Sequence, residues 1–230
     1  MPRKKNNTAI VLELKNVSKT YTLGTQQIHA LNSVSLQVKK GDFLSVKGPS
    51  GSGKSTFLQV ASILAKPSSG KILINGKDTT TLDENERAHL RNREIGFIFQ
   101  NFNLLAKTSA LENVALPLVY SSVDEKTRLE RAEEMLRKLG LGDRLHNSPA
   151  QLSGGQQQRV AIARALINNP SIVFADEPTG NLDSKSGAEV KKILTKLNKE
   201  GVTIIMVTHE TGVSSVAKKH IEIHDGKIKK

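Results

Sequence analysis

The chain has no cysteine and no tryptophan, only two tyrosines, and aromatic residues fill 3% of its 230 positions. Without cysteine there are no disulfides and no thiolate-ligated zinc. With so few aromatics there is no stacking platform for single-stranded nucleic acid. Long apolar runs are missing too. The longest, Val114 to Val119, contains Pro117 and falls far short of the about 20 apolar residues that cross a bilayer. The N-terminal MPRKKNNTA is basic but lacks the apolar stretch of a signal peptide. The expectation is a cytosolic chain that does not itself span a membrane.

Acidic residues are also in deficit: 22 against 34 Lys and Arg, a net charge of +12. Such a balance suits nucleic acid, an anionic membrane surface or phosphorylated ligands. Here the positive charge is scattered, apart from Arg3, Lys4 and Lys5 at one end and Lys227, Lys229 and Lys230 at the other. A solvated basic surface is the plainer account, and no nucleic-acid partner is expected.

Two periodicities share the chain. SVSLQV (33–38) alternates, with Val34, Leu36 and Val38 on one face, and GKILING (70–76) does the same through Ile72 and Ile74. From Val11 to Val46 the pattern is strand-like with glycine and polar punctuation, which suits antiparallel hairpins. FLSV (43–46), SIVFAD (171–176) and TIIMVTH (203–209) are instead nearly continuous apolar runs, as in parallel strands buried on both faces. Helical stretches near 54–65, 153–168 and 184–199 complete an α/β pattern. Residues 101–150 carry no convincing strand. Within them Leu129, Ala132, Leu136 and Leu139 fall on one helical face, with Ser122 and Glu125 placed for a capping box and Gly140 for a stop. The expected fold is an α/β P-loop NTPase (RecA-like) core with a mainly parallel sheet. An N-terminal antiparallel β subdomain and a helical subdomain inserted around 101–165 accompany it. In residue ranges, the core takes about 43–100 and 166–230, the antiparallel part about 11–42 and 70–80, and residues 1–10 form a tail.

GPSGSGKS (48–55) fits G-x-x-x-x-G-K-[ST], following one apolar strand and leading into a helix. Gly48, Gly51 and Gly53 open the backbone so that the N–H groups of Gly48, Ser50, Gly51, Ser52 and Gly53, and of Lys54, Ser55 and Thr56 beyond them, can close on phosphate oxygens, while Pro49, which has no N–H, shapes the loop that lies against them. The helix N-terminus adds partial positive charge. Lys54 is placed for the β- and γ-phosphates and the Ser55 hydroxyl for magnesium. SIVFADEP ends a strand in two acids, and a P-loop gives them work: Asp176 to hold magnesium, Glu177 to orient and polarise a water for in-line attack. The plain alternative for Glu177 is a solvated loop charge. His209, ending TIIMVTH, is either a hydrogen-bonded structural residue or a ligand contact at the rim where α/β sheets bind nucleotides. Gln100, at the expected strand end before the helical insertion, is a polar terminator or a sensor of γ-phosphate and magnesium.

LSGGQ (152–156) raises a different question. Ser153 and Gln156 form an S-x-x-Q capping box for the following helix, whose Val160, Ala163 and Leu166 share a face. A cap needs no paired glycine, and glycine costs about 1 kcal/mol inside a helix. Gly154 and Gly155 read as a second anion site at a helix N-terminus, one that a single nucleotide on the P-loop has no obvious use for.

Together these motifs resemble the ATP-binding subunits of ABC transporters, from about Val11 to Lys227. They come in that family's order: Tyr21, the P-loop 48–55, Gln100, LSGGQ 152–156, IVFADE 172–177, GNLD 180–183 and His209. The resemblance implies that Tyr21 stacks on adenine and that Gln100 joins magnesium and water to a coupling surface. It also implies that His209 holds the γ-phosphate and attacking water. Ser153, Gly154, Gly155 and Gln156 would contact ATP bound to a second copy of the chain, in a head-to-tail homodimer with Asp183 at the interface. Catalysis then falls to Glu177, His209 and Gln100, and the Mg2+ site to Ser55, Gln100 and Asp176. The implied partners are ATP, a second copy and an integral membrane permease, with the chain peripheral on the cytoplasmic face of the inner membrane.

QNFNLLAKTSALENVALPL and ADEPTGNLDS look like the subgroup of lipoprotein-release ATPases, macrolide and antimicrobial-peptide exporters and the related cell-division ATPase. ASILAKPSSG lacks the glycine usual before its turn, and Glu210 follows His209 where aspartate is commoner. Competing readings are a soluble ABC-type ATPase acting on ribosomes or DNA, which usually carries two cassettes or coiled coils, and a small-molecule P-loop kinase, which leaves LSGGQ unexplained.

Overall fold

A computed structural model describes residues 9–208 and 216–229. The alternating N-terminal pattern becomes two long antiparallel strands, β1 (Ile10–Leu23) and β2 (Gln26–Lys39). Gly24, with φ of +60°, makes their turn in the left-handed region that glycine enters without penalty. β4 (Ser69–Ile74) pairs along the other edge of β1, and β5 (Lys77–Asp78) follows it, giving the order β2-β1-β4-β5. The apolar runs form a second sheet. Its parallel strands are β9 (Lys219–His224), β3 (Phe43–Lys47), β8 (Ile204–Val207), β7 (Ile172–Asp176) and β6 (Ile95–Ile98), in that spatial order. β10 (Lys227–Lys229) adds an antiparallel edge beside β9.

Helix α1 (Lys54–Ala61) fills the space between the sheets. Phe57, Leu58, Val60 and Ala61 are fully buried against Leu12, Leu14 and Ile72 of one sheet and Val46, Phe174 and Ile205 of the other. The opposite face of the parallel sheet is covered by α5 (Gly154–Leu166) and α6 (Ser184–Lys199), through Ile162, Leu166, Val190 and Leu194. A third core joins α3 (Ala110–Val119) and α4 (Glu125–Lys138) to the other side of α5, through Val114, Leu118, Leu136, Val160 and Ala163. Helix α5 is thus a shared wall: one stripe faces the sheet and another faces the helical region. α2 (Glu84–Glu94) leads into β6.

Two local expectations need correction. Helix α4 is capped not by Ser122 but by Asp124, whose carboxylate accepts the Thr127 N–H at 3.0 Å. Ser122 lies outside the helix at φ +55°, where its hydroxyl is not in the capping position. β6 stops at Ile98, so Gln100 sits in the turn beyond the strand rather than at its end. The expected stop at Gly140 is present, with φ of +72° just past the cap residue Leu139.

Candidate functional site

Parallel pairing fixes where the motifs meet. Val46 of β3 and Asp176 of β7 both lie opposite Val207 of β8, and Ile98 of β6 lies opposite Ala175 of β7. The loops after four adjacent strands therefore leave one edge of the sheet together: the P-loop, Asp176–Glu177, Thr208 and the turn holding Gln100. That edge is where open α/β sheets bind ligands. His209 lies outside the described residues.

The P-loop glycines have distinct reasons. A Cβ on Gly48 would fall 2.1 Å from the Ile223 carbonyl oxygen, and one on Gly53 2.3 Å from that of Ala30. These two glycines press the loop onto β9 and β2. Gly51 faces open space and needs only its φ of +77°. Gly53, also left-handed at +103°, starts α1 without a side-chain cap, so the helix N–H groups point into the loop. The Lys54 Nζ, buried in the loop, donates to the Pro49 carbonyl at 2.7 Å. Burial lowers the Lys54 ammonium pKa, while Glu177 and Asp176 raise it. A cavity of about 370 Å³ opens beside Gly51, Gly53, Lys54, Ser55 and Thr56 and is closed by Ile28, His29 and Asp225. Tyr21 does not line this cavity. It is paired with Ile28 across the β1–β2 hairpin, is 39% exposed, and carries the Lys19 ammonium 5.1 Å from its ring centroid.

Burial raises the Asp176 carboxyl pKa, and Lys54 opposes part of that rise. Among the described residues no group of three or more His, Cys, Asp or Glu could hold a metal unaided. A half-buried carboxylate short of hydration, with the Ser55 hydroxyl in the first turn of α1, instead suits Mg2+, which usually takes one or two carboxylates plus substrate phosphates and waters. Glu177 has φ of +42°, a left-handed conformation costing about 1–3 kcal/mol in a non-glycine residue. Its N–H donates to Val207 O at 2.9 Å and its carbonyl accepts the Gly180 N–H at 3.0 Å, so both of its peptide groups are held.

Gln100 is tied to the GNLD segment. Asn181 Nδ2 donates to Gln100 O at 3.2 Å and to Asn101 Oδ1 at 2.6 Å. A Cβ on Gly180 would stand 2.9 Å from Gln100 Nε2. The next residues, Phe102 and Asn103, are left-handed at +59° and +50°. Arg164 of α5 anchors both, donating to Phe102 O at 2.8 Å and Asn103 O at 2.5 Å. Asp183 caps α6 by accepting the N–H groups of Ser186 and Lys185, and the Ser186 bond leads in holding its carboxyl below the usual carboxylate range.

In LSGGQ the capping box forms as the spacing predicts: Ser153 Oγ accepts the Gln156 N–H, and Gln156 Oε1 accepts the Ser153 N–H at 2.9 Å. The glycines also answer to a neighbour within the same chain. A Cβ on Gly155 would meet Ser186 Oγ at 2.8 Å, and one on Gly154 would meet Leu182 Cδ2 at 3.3 Å. The pair lets α5 sit against the start of α6, a packing demand invisible in the one-dimensional pattern.

Two residues of this assembly escape sequence reasoning. Gln158 is completely buried and donates from Nε2 to the Pro178 carbonyl at 2.6 Å. Arg164 is the second. Gln158 precedes Ile162 by one helical turn, so a polar side chain on an apolar stripe was the available signal.

The ABC transporter family matches residues 31–180. The macrolide export ATP-binding/permease protein MacB of Syntrophobacter fumaroxidans is 52% identical over 221 residues, covering 95% of this chain and 31% of that protein. The chain thus spans about a third of the length of the MacB relatives it matches. An uncharacterized ABC transporter ATP-binding protein of Methanocaldococcus jannaschii is 51% identical over 218 residues, covering 95% of this chain and 97% of its own. Among solved structures, the dimeric post-hydrolysis state of the ATP-binding cassette MJ0796 bound to ADP and Pi superposes with a TM-score of 0.87. It is 46% identical over 95% of this chain and 97% of that one. By motif order, fold and these matches, the chain belongs to the ABC transporter family as one of its ATP-binding cassettes.

Proposed function

We propose that the protein hydrolyses ATP, closing head to tail with a second copy around two Mg-ATP molecules to drive an integral membrane permease. The lean is to export, efflux or lipoprotein release, with the chain on the cytoplasmic face of the inner membrane. The observation that carries this reading is the meeting of the P-loop, Asp176–Glu177 and Gln100 at the ends of adjacent parallel strands. The MJ0796 cassette, at 46% identity, is itself a dimer bound to ADP and Pi.

On this reading Lys54 exchanges the Pro49 carbonyl for phosphate oxygens, and backbone N–H groups from Gly51 to Thr56 enclose the phosphates. Ser55, Asp176 and Gln100 would hold Mg2+, which when bound would supply charge neutralisation at the phosphates. Glu177 accepts a hydrogen bond from the attacking water, aligning it with the γ-phosphorus. The water oxygen–phosphorus bond forms while the bond to the bridging oxygen breaks, and that electron pair leaves with ADP. Tyr21 covers adenine, and His209 steadies the γ-phosphate. Ser153 and the N–H groups after it offer a positive helix end to the nucleotide of the partner copy, with Asp183 at the contact. Residues 101–165 serve as the helical arm, 43–100 and 166–230 as the catalytic core, and 11–42 with 70–80 as the antiparallel cover.

Glu177→Gln tests this reading. In saturating Mg-ATP the variant forms a stable dimer by light scattering, and hydrolysis falls at least about 100-fold. A variant that stays monomeric under those conditions, or hydrolyses at the parent rate, overturns it.

A further inference from the structure

Gln158 belongs to none of the motifs that contact nucleotide. It lies on α5, one turn into the helix that LSGGQ begins. Its side chain is completely buried, and its Nε2 donates to the carbonyl of Pro178, the residue after Glu177. The orientation of the amide is not arbitrary: a carbonyl only accepts, so the nitrogen must face it. The Oε1 atom is buried without a hydrogen-bond partner among the described residues. Leaving a buried amide oxygen unpaired is unfavourable, and an apolar side chain would avoid it. The side chain is therefore suited to the one bond it makes.

That bond falls at a vulnerable place. Glu177 is left-handed at φ +42° and is followed by proline, a neighbour that restricts the backbone of the residue before it. Pro178 has no N–H with which to anchor the segment. Gln158 takes its carbonyl instead, one residue beyond Glu177. We propose that Gln158 is a positioning residue for Glu177: it couples the seat of the LSGGQ helix to the placement of the carboxylate that aligns the attacking water. A shift of α5 when its N-terminus engages the partner copy's nucleotide would reach Glu177 through this bond. The inference rests on the proposed role of Glu177.

The test compares Gln158→Met, which keeps length and loses the donor, with Gln158→Glu, using the full chain and Mg-ATP. Gln158→Met lowers kcat by about tenfold or more, as a misplaced catalytic group does, and leaves KM within about twofold. Combined with Glu177→Gln, it lowers the residual single-turnover rate no further, because it acts through that carboxylate. Gln158→Glu adds a pH readout: its ionised form cannot donate to Pro178, whereas its neutral form can. Relative to the parent, its rate therefore recovers as pH falls from about 9 to about 6, burial raising the new carboxyl's pKa. Parental kcat in both variants overturns the inference, as does an additive loss in the double variant or a pH profile parallel to the parent's. If Glu177→Gln itself hydrolyses normally, the proposed function fails first; if that variant is inactive and the Gln158 variants are not, only this inference fails.

Discussion

Gly155 and Ser186 approach so closely that a Cβ on the glycine would lie 2.8 Å from the serine Oγ and 2.9 Å from its Cβ. The contact joins the first turns of α5 and α6, one opened by LSGGQ and the other by GNLD. Both segments face nucleotide chemistry in the proposed dimer, and they are braced against each other before any partner arrives.

This contact predicts a defect in the lone chain. Gly155→Ala lowers the stability of nucleotide-free protein by about 1–3 kcal/mol, the usual scale for overpacking. Ser186→Gly in the same chain removes both close atoms and restores most of the loss. Denaturant melts of the two single variants and the double variant decide the matter. A double variant no more stable than Gly155→Ala would show that the glycine answers to something other than Ser186.

Asp176 predicts an exchange of stability for activity. Burial raises its folded pKa, so the folded state holds this proton to higher pH than an unfolded aspartate, which releases it near about 3.9. As pH rises through that window the unfolded state binds fewer protons, and stability falls and stays lower above it. Asp176→Asn removes the penalty. Its nucleotide-free unfolding midpoint exceeds the parent's at pH 8, and the difference shrinks as pH falls through the raised folded pKa, vanishing below about 4. The gain is partial because Lys54 loses a carboxylate neighbour. Hydrolysis falls at least about 100-fold in the same variant. Thermal melts across pH, with an ATPase assay, check both halves.

Arg164 predicts a local loosening. Arg164→Met frees the carbonyls of Phe102 and Asn103 and costs about 2 kcal/mol, within the range for hydrogen bonds to a charged donor. Hydrogen exchange quickens across residues 101–105 while β1 and β2 keep their protection. Arg164→Lys does not rescue it, because a single ammonium does not reproduce the guanidinium's fork of donors.

Local patterns carried much of the architecture. Alternation in SVSLQV and continuous apolar runs in FLSV, SIVFAD and TIIMVTH separated the antiparallel strands from the buried parallel ones, since a strand covered on one face and a strand covered on both select different residues. The Ser153–Gln156 box was legible because a cap is a contact between residues three apart. The cap of α4 was misplaced by two residues: Ser122 and Asp124 are both good capping residues, and only the path of the backbone chose Asp124.

By itself the sequence determined the chemistry on offer: a glycine-rich phosphate loop, two acids closing an apolar strand, a glutamine before a helical insertion, and a family order that joins them. Tertiary structure decided what depends on distance between remote positions. It set Asp176 and the P-loop on either side of Val207, turned Gly155 toward Ser186, and buried Gln158 beneath Pro178. Those relationships arise where strands and helices far apart in the chain come within van der Waals or hydrogen-bond range. No periodicity of 2 or 3.6 residues encodes such contacts.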